Sequence, residues 1–397
     1  MRKREAERYY DYSLQQGVKQ YKYLYRRMLD IEVIKKAYKK LRKGKTQRKE
    51  IQFIDAHLDE EVEKMRITIL NTRPGAEHPE LGYKPVKRKP KFIREHGKMR
   101  KIFMPEIHEQ WLHHIIVLIL EPIITATAYP YSCGSFPGRG AHYAKKRLVS
   151  WIRRGKGIRN FAKIDIRHFY DSIRLDILMR ELAIRIKDDW FLHIIRLCLS
   201  EFKKGIPLGF YISQWLANYL LEPLDRLITE NLGLKITERY MDDIVIMDDN
   251  KKRLRAAVIE IMKFIGRRFR LKLKRTWQIC KFDYAKKTGK KIGRAIDYMG
   301  FLFMRNRVTI RKRIMLSATR LAAKMHKNRE RLRGYYRRHI QAMLSYIGWF
   351  NCTDTYDCYR DRIKPLVNVG RLKKIISKLD RRAKNERMET GTLCVAA

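Results

Sequence analysis

Tyr240, Met241, Asp242 and Asp243 stand inside the apolar run Arg239-Tyr-Met-Asp-Asp-Ile-Val-Ile-Met247. Two adjacent carboxylates repel each other and lose hydration among β-branched and aromatic neighbours, so their presence there calls for a compensating charge. A divalent metal ion would supply it. Consecutive residues of a strand face opposite ways, so neighbouring Asp residues can share a metal only at a tight turn. Taken alone, an Asp-Asp pair reads more simply as a solvated turn, and the weight comes from a third carboxylate. Two Mg²⁺ ions about 3.5–4 Å apart, the arrangement that carries phosphoryl transfer, need bridging oxygens from more than one strand. Asp165, in Phe161-Ala-Lys-Ile-Asp-Ile-Arg-His-Phe-Tyr170, lies in a second short apolar strand signal, where an unpaired charge is costly.

These carboxylates need a hairpin and a neighbouring strand to position them. The run around Asp242 predicts a strand ending near Met241, carboxylates at the bend, and Ile244 to Met247 returning. After Asp165 a turn leads to a helical stretch from Arg174 to Ile186, with Asp171 as its N-cap. Helices are expected over Phe53 to Leu70, Gln110 to Ile124, Ala141 to Arg154, Leu175 to Phe202 and Ser213 to Glu230, the last capped by Ser213. Lys84-Pro-Val-Lys-Arg-Lys-Pro90 reads as a basic linker. Cys133-Gly-Ser-Phe-Pro-Gly-Arg-Gly140 is a turn whose glycines permit close backbone approach; it lacks the spacing of a nucleotide-binding phosphate loop, so a template contact is expected there.

The order of these segments resembles motifs A, B and C of reverse transcriptases: Asp165 with an aromatic five residues on, then Leu208-Gly-Phe-Tyr-Ile-Ser-Gln214, then Tyr-Met-Asp-Asp. Gly97-Lys-Met-Arg100-Lys-Ile-Phe-Met-Pro105 is similar to the fingers segment that holds the incoming triphosphate. Leu271-Lys-Leu-Lys-Arg-Thr-Trp277-Gln resembles motif D, and Asp297-Tyr-Met-Gly-Phe-Leu-Phe303 the primer-grip hairpin of motif E. The likeness covers about residues 90–305. It implies an α+β right-hand polymerase with an antiparallel palm sheet, a helical thumb and a basic helical N-terminal extension. The expected borders are 1–55 for the extension, 56–160 for fingers, 161–305 for palm with helices over 174–230, 306–385 for thumb and 386–397 for a disordered tail.

The resemblance also implies roles. Asp165, Asp242 and Asp243 are the expected catalytic metal ligands for two Mg²⁺ ions, or Mn²⁺. Lys98 and Arg100 would neutralise the triphosphate, the main chain from Ile166 to Phe169 would contact phosphates, and the Tyr170 ring would exclude a 2′-hydroxyl by clash. Gly209 and Ser213 would shape the templating pocket, Leu208 and Gln214 would also bind substrate, and no catalytic role is expected for His168. Most reverse transcriptases carry Gln-Gly at the start of motif B and Ser-Pro at its end, whereas this chain has Leu208-Gly209 and Ser213-Gln214. That departure is similar to the enzymes of diversity-generating retroelements and implies error-prone copying, because Leu208 offers no hydrogen bond where an amide is usual. A phage-defence reverse transcriptase using a dedicated noncoding RNA or a protein primer is the alternative.

Composition agrees with a polyanionic partner. Ninety Lys and Arg against 42 Asp and Glu give a formal charge of +48 and a pI near 10.2, a balance that would self-repel without nucleic acid. Met1 to Glu50 carries 17 basic against 6 acidic residues, with Tyr9, Tyr10, Tyr12, Tyr21, Tyr23, Tyr25 and Tyr38 interleaved, and reads as an RNA-contacting helical extension. The expected partners are template RNA, a primer or cDNA strand, dNTPs, and a basic accessory protein or noncoding RNA, with no membrane. Ile115 to Ile124 is interrupted by Glu121-Pro122 and reads as too short to span a bilayer. Six cysteines without a C-x-x-C pair, and no apolar leader after Met1-Arg-Lys-Arg-Glu, point to a reducing cytoplasm, bacterial or phage-encoded.

Overall fold

A computed structural model describes residues 19–95, 98–155, 158–202, 204–284, 288–290, 292–330 and 337–393. The chain divides into two compact units, one formed by residues 1–144 and 162–279 and the other by 145–161 and 280–397. This division crosses the expected borders, since the segment likened to motif E belongs with the C-terminal helices.

An antiparallel ribbon pairs β1 (Lys91–Glu95) with β2 (Lys98–Ile102), and the main sheet has the order β3-β5-β6-β4-β7. Its strands are β3 (Ser132–Cys133), β4 (Asn160–Asp165), β5 (Ile236–Tyr240), β6 (Asp243–Asp248) and β7 (Gln278–Lys281). β5 and β6 form the expected hairpin, in the register Tyr240↔Asp243 and Arg239↔Ile244, while β3 runs parallel to β5. Ile244, Val245, Ile246 and Met247 are all buried, which is why the strand reads as a continuous apolar run rather than an alternation.

The helix Lys251–Phe269 lies against β6, and the other helices of the first unit pack mainly on one another. The helix Ile107–Thr127 extends three residues beyond each end of the expected stretch and buries Trp111, Ile115, Ile116, Ile119 and Leu120. It is long and apolar enough to cross a bilayer by length and composition, which corrects the expectation that it is too short; 56% of its apolar window is buried inside the structure. Its Glu109 takes hydrogen bonds or ion pairs from Tyr83 Oη at 2.8 Å and Arg88 at 2.5 Å, so this buried charge is answered by the protein.

Several expected helices are broken, each at a recognisable residue. The stretch from Phe53 becomes Lys49–Ala56 and Leu58–Leu70, interrupted at His57. Leu175–Arg185 and Asp189–Leu199 are separate because Asp188 leaves the helix and caps the second one through Phe191 N at 3.0 Å. The helix after Gly209 is Tyr211–Leu220, with Phe210 at its N-cap and Ser213 inside it, and Pro223 opens the next segment, Glu222–Arg226. Asp171 is likewise no cap: it lies within the single turn Phe169–Ser172, and Arg174 precedes the following helix.

From residue 19 on, the basic N-terminal stretch contributes to this core. Leu24, Tyr25, Met28, Ile34, Ala37, Tyr38, Leu41, Ile51 and Ile54 join the main hydrophobic cluster. Tyr25 Oη donates to the Ile69 and Leu70 carbonyls, and Tyr38 Oη donates to Asp55 at 2.7 Å. Those two rings are therefore packing groups rather than base-stacking ones. Tyr9, Tyr10 and Tyr12 lie outside the described residues.

In the second unit β8 (Ile296–Tyr298), β9 (Phe301–Phe303) and β10 (Val308–Ile310) form an antiparallel sheet in the order β10-β9-β8. The turn between β8 and β9 needs Gly300, which has φ +87° with the Trp349 ring 2.7 Å from where a Cβ would stand. Helices Lys312–Glu330, Arg337–Asn351, Tyr356–Arg362 and Val369–Leu393 follow and bury Ala318, Met325, Ile340, Met343, Phe350 and Leu372. The last helix occupies 386–393, where a disordered tail is expected. Its run Arg-Arg-Ala-Lys-Asn-Glu-Arg-Met388 is rich in strong helix formers, which explains the difference. Residues 394–397 lie outside the described part.

Candidate active site

The turn of the β5–β6 hairpin is Met241-Asp242, and Met241 adopts a left-handed φ of +57°, a conformation a non-glycine residue takes only when its surroundings enforce it. Three contacts enforce it. Met241 N donates to the Cys133 carbonyl at 3.2 Å, the Met241 carbonyl accepts from buried Arg239 at 3.0 Å, and the Met241 side chain lies against Gly134. Gly134 has φ +87°, and a Cβ there would stand 3.0 Å from Met241 Cγ, so only glycine suits this approach.

Asp165 ends β4 beside that turn. Ile166 N donates to the Asp242 carbonyl at 3.2 Å, which ties the residue after Asp165 to the backbone of Asp242. Burial, and then the nearby Asp165 charge, push the Asp242 carboxyl up to about 6, against the opposing pull of its own backbone amide, Lys274 and Arg100. Asp165 accepts an ion pair from Lys274 Nζ at 2.6 Å on one carboxylate oxygen, while its other oxygen is buried without a hydrogen-bond partner. Lys274 reaches it because the segment 272–274 pairs antiparallel with 165–167, through Arg167 N to the Lys272 carbonyl and Lys274 N to the Asp165 carbonyl, each at 2.8 Å.

Asp243 differs from its neighbour. It begins β6, and its carboxylate meets Lys163 at 3.6 Å. Among the described residues no three His, Cys, Asp or Glu side chains gather into a metal cluster. Of the three carboxylates expected to converge, Asp165 and Asp242 are the two that interact, because side chains alternate along a strand and Asp243 already lies in one. The pair itself fits a divalent cation: the nearby Asp165 disfavours the charge on Asp242, and one Asp165 oxygen is buried without a hydrogen-bond partner, which such an ion would relieve.

Around the pair, Tyr170 is half-buried, its hydroxyl raised by burial and by Asp242, and Arg100 acts on it in the opposite sense. Tyr170, Asp242 and Arg100 of β2 therefore share one electrostatic neighbourhood. Lys98 opens β2. The N–H groups of Ile166 and Arg167 are spent on Asp242 and Lys272, which removes Ile166 from the expected phosphate contacts and leaves the amides of His168 and Phe169. Phe169 itself is buried, edge-on to Tyr170 at 5.5 Å.

Leu208 and Gly209 are fixed from the β2 side. Phe103 N donates to the Leu208 carbonyl at 2.7 Å, and Gly209, at φ +104°, brings its backbone so near that a Cβ would stand 2.1 Å from the Phe103 carbonyl oxygen. The Leu208 side chain is half-buried. Gln214 is exposed and accepts from Ser135 Oγ at 3.1 Å, which links its helix to the Gly134 loop; Ser213 Oγ is buried with no hydrogen-bond partner. Lys163, Lys274 and Arg239 are site residues that residue-type reasoning passes over. For Lys274 the alternation Leu271-Lys-Leu-Lys274 signals a strand, though nothing in it names Asp165 as the partner.

The family model described as reverse transcriptase (RNA-dependent DNA polymerase) matches residues 87–301, 215 of the 397. A curated relative, an uncharacterized 91 kDa protein in cob intron from Schizosaccharomyces pombe, is 31% identical over 146 residues, 34% of this chain and 18% of that protein. Among solved structures, apo telomerase from Candida tropicalis truncated from its C-terminal domain gives a TM-score of 0.45 at 12% identity, covering 56% of this chain and 54% of that one. Telomerase from Candida albicans in complex with a TWJ fragment of telomeric RNA gives 0.43 at 12% identity, covering 77% and 60%. The chain thus spans under a fifth of the curated relative and little more than half of these two structures.

Proposed function

The chain belongs to the reverse transcriptase family, and from that premise we propose that it is an RNA-directed DNA polymerase, extending a primer strand with dNTPs on a template RNA. The observation that supports this most is the pairing of Asp165 with Asp242 at a turn whose backbone is tied on both sides. Asp165 and Asp242 would hold divalent ions, two Mg²⁺ or Mn²⁺, which when bound supply neutralisation of the triphosphate and acidification of the primer hydroxyl, while Asp243, paired with Lys163, supports the site from the hairpin. Arg100, with Lys98 on the same strand, binds the triphosphate and opposes the charge that develops on it. Tyr170, in the same electrostatic neighbourhood as Asp242, would exclude a 2′-hydroxyl by clash and so select deoxynucleotides. Gly209 lets the Phe103 backbone approach, which sets the height of Leu208 and, with Ser213 and Gln214, the shape of the pocket for the templating base. Lys274 holds Asp165 oriented toward the turn.

The biological role we propose is mutagenic copying in a diversity-generating retroelement, with a template RNA and a basic accessory protein as partners. Leu208 supports it: an apolar side chain contributes no polar discrimination at the nascent pair. The test is dNTP incorporation on an RNA template in Mg²⁺ by the parent and by Asp242→Asn. The variant should lose activity by orders of magnitude while retaining RNA binding. Retained incorporation would sink the polymerase reading. A template and variable repeat pair beside the gene supports mutagenesis, and defence genes in its place would favour immunity.

A further inference from the structure

Arg239 is among the largest fully buried side chains in the protein, with 2% of its surface exposed, and it lies two residues before Met241. A guanidinium carries five N–H donors, and each is engaged. Nε and Nη2 grip the two Asp225 oxygens, both at 2.6 Å. Nη2 also donates to Ser132 Oγ at 2.5 Å, and Nη1 donates to Asn218 Oδ1 at 3.1 Å and to the Met241 carbonyl at 3.0 Å. Asn218 in turn donates to the Gly134 carbonyl at 2.9 Å, so the same network fixes the loop against which Met241 packs.

The bidentate Asp225 pair would suffice to neutralise a buried arginine. It does not explain why one remaining hydrogen bond reaches the turn at the Met241 carbonyl and another reaches Asn218, which holds the Gly134 loop against that turn. The Met241 carbonyl belongs to the peptide that leads into Asp242, and the Asp242 carbonyl is held by Ile166 N. The two peptides flanking Asp242 are therefore pinned independently, one by a side chain and one by a strand.

We propose that Arg239 is a positioning residue: through the Met241 carbonyl it holds the left-handed turn, and with it the Asp242 carboxylate, in register with Asp165. This rests on the polymerase reading above. Removing that hydrogen bond should let the turn relax and move the carboxylate without touching either substrate, so the damage should fall on turnover and on cation binding rather than on substrate affinity.

The test uses the full chain carrying Arg239→Met with Asp225→Leu, which removes both buried charges together, an exchange that buried ion pairs commonly tolerate. Misplacement of a reacting group by an ångström can cost about 100-fold, so kcat for dNTP incorporation should fall by about that factor while KM and RNA affinity stay within about threefold. Mn²⁺ binding to the protein alone, followed by electron paramagnetic resonance, should weaken in parallel. Should the double variant fail to fold, Asn218→Ala removes the neutral partner and should lower kcat by about tenfold at unchanged KM. Parental kcat in a folded variant, a defect carried by KM, or unaltered Mn²⁺ affinity would each overturn the proposal. A parent that polymerises nothing would instead defeat the functional reading, and the Mn²⁺ comparison would still decide the role of Arg239.

Discussion

Asp242→Asn should stabilise the metal-free protein while it removes activity. The Asp242 carboxyl is raised from its ordinary 3.8 to about 6, first by burial and then by Asp165. An acid whose folded value lies above its unfolded value binds its proton more tightly in the folded state, so stability falls as pH rises between about 4 and 6 and the deficit is complete above 6. A shift of about two units at 1.36 kcal/mol each gives about 3 kcal/mol as an upper bound, and partial exposure of the side chain brings the expectation to about 1–3 kcal/mol. For a unit of this size that is roughly 2–6 °C in Tm. The assay is thermal unfolding of parent and variant in EDTA at pH 7.5 and pH 4.5. The variant should melt higher at pH 7.5, and the gap should shrink at pH 4.5, where the parental Asp242 is protonated. Saturating Mg²⁺ should raise the Tm of the parent more than that of the variant, because binding stabilises only the state that holds the ligand. A variant that melts at or below the parent in EDTA at pH 7.5, or a gap indifferent to pH, would refute the reasoning.

Gly209→Ala meets the Phe103 carbonyl at 2.1 Å in a left-handed backbone, so strain and a broken hydrogen bond should cost about 2–4 kcal/mol in denaturant unfolding, whereas Gly44→Ala, with φ +74° and nothing within 4 Å, should cost only the backbone part. Leu208→Gln should lower misincorporation opposite template adenine by roughly tenfold without altering the Mg²⁺ requirement, as read by sequencing cDNA from one RNA; equal error rates would make Leu208 a packing residue. Removing the whole N-terminal stretch would remove core, so RNA binding by this stretch is better tested with Lys36, Lys39 and Lys43, exposed on or just after the helix Ile31–Arg42, each changed to Ala. The slope of log K against log salt should flatten by about 0.7 for each phosphate that is no longer neutralised, and an unchanged slope would assign that face to something other than RNA.

What could be read from residues alone was local. Paired aspartates in an apolar run demand a turn and a counter-charge, so the hairpin and the neighbouring Asp165 strand follow from the sequence, while the bend falls on Met241-Asp242 and not on both carboxylates as expected. The helix Ala141–Arg154 follows in the same way from its periodicity. Helix breaks were less legible, because the Asp188 cap and Pro223 sit within stretches whose apolar spacing runs on past them. Tertiary structure alone decided which charges meet. Lys274 and Asp165 are 109 residues apart, and Ser132 and Arg239 are 107 apart. It also decided that Tyr25 and Tyr38 serve the core rather than a base stack, and that Asp243 turns to Lys163 instead of joining its neighbour. A sequence states the cost of a buried charge at each position; only the fold brings up the partner that offsets it, because that partner comes from a distant part of the chain.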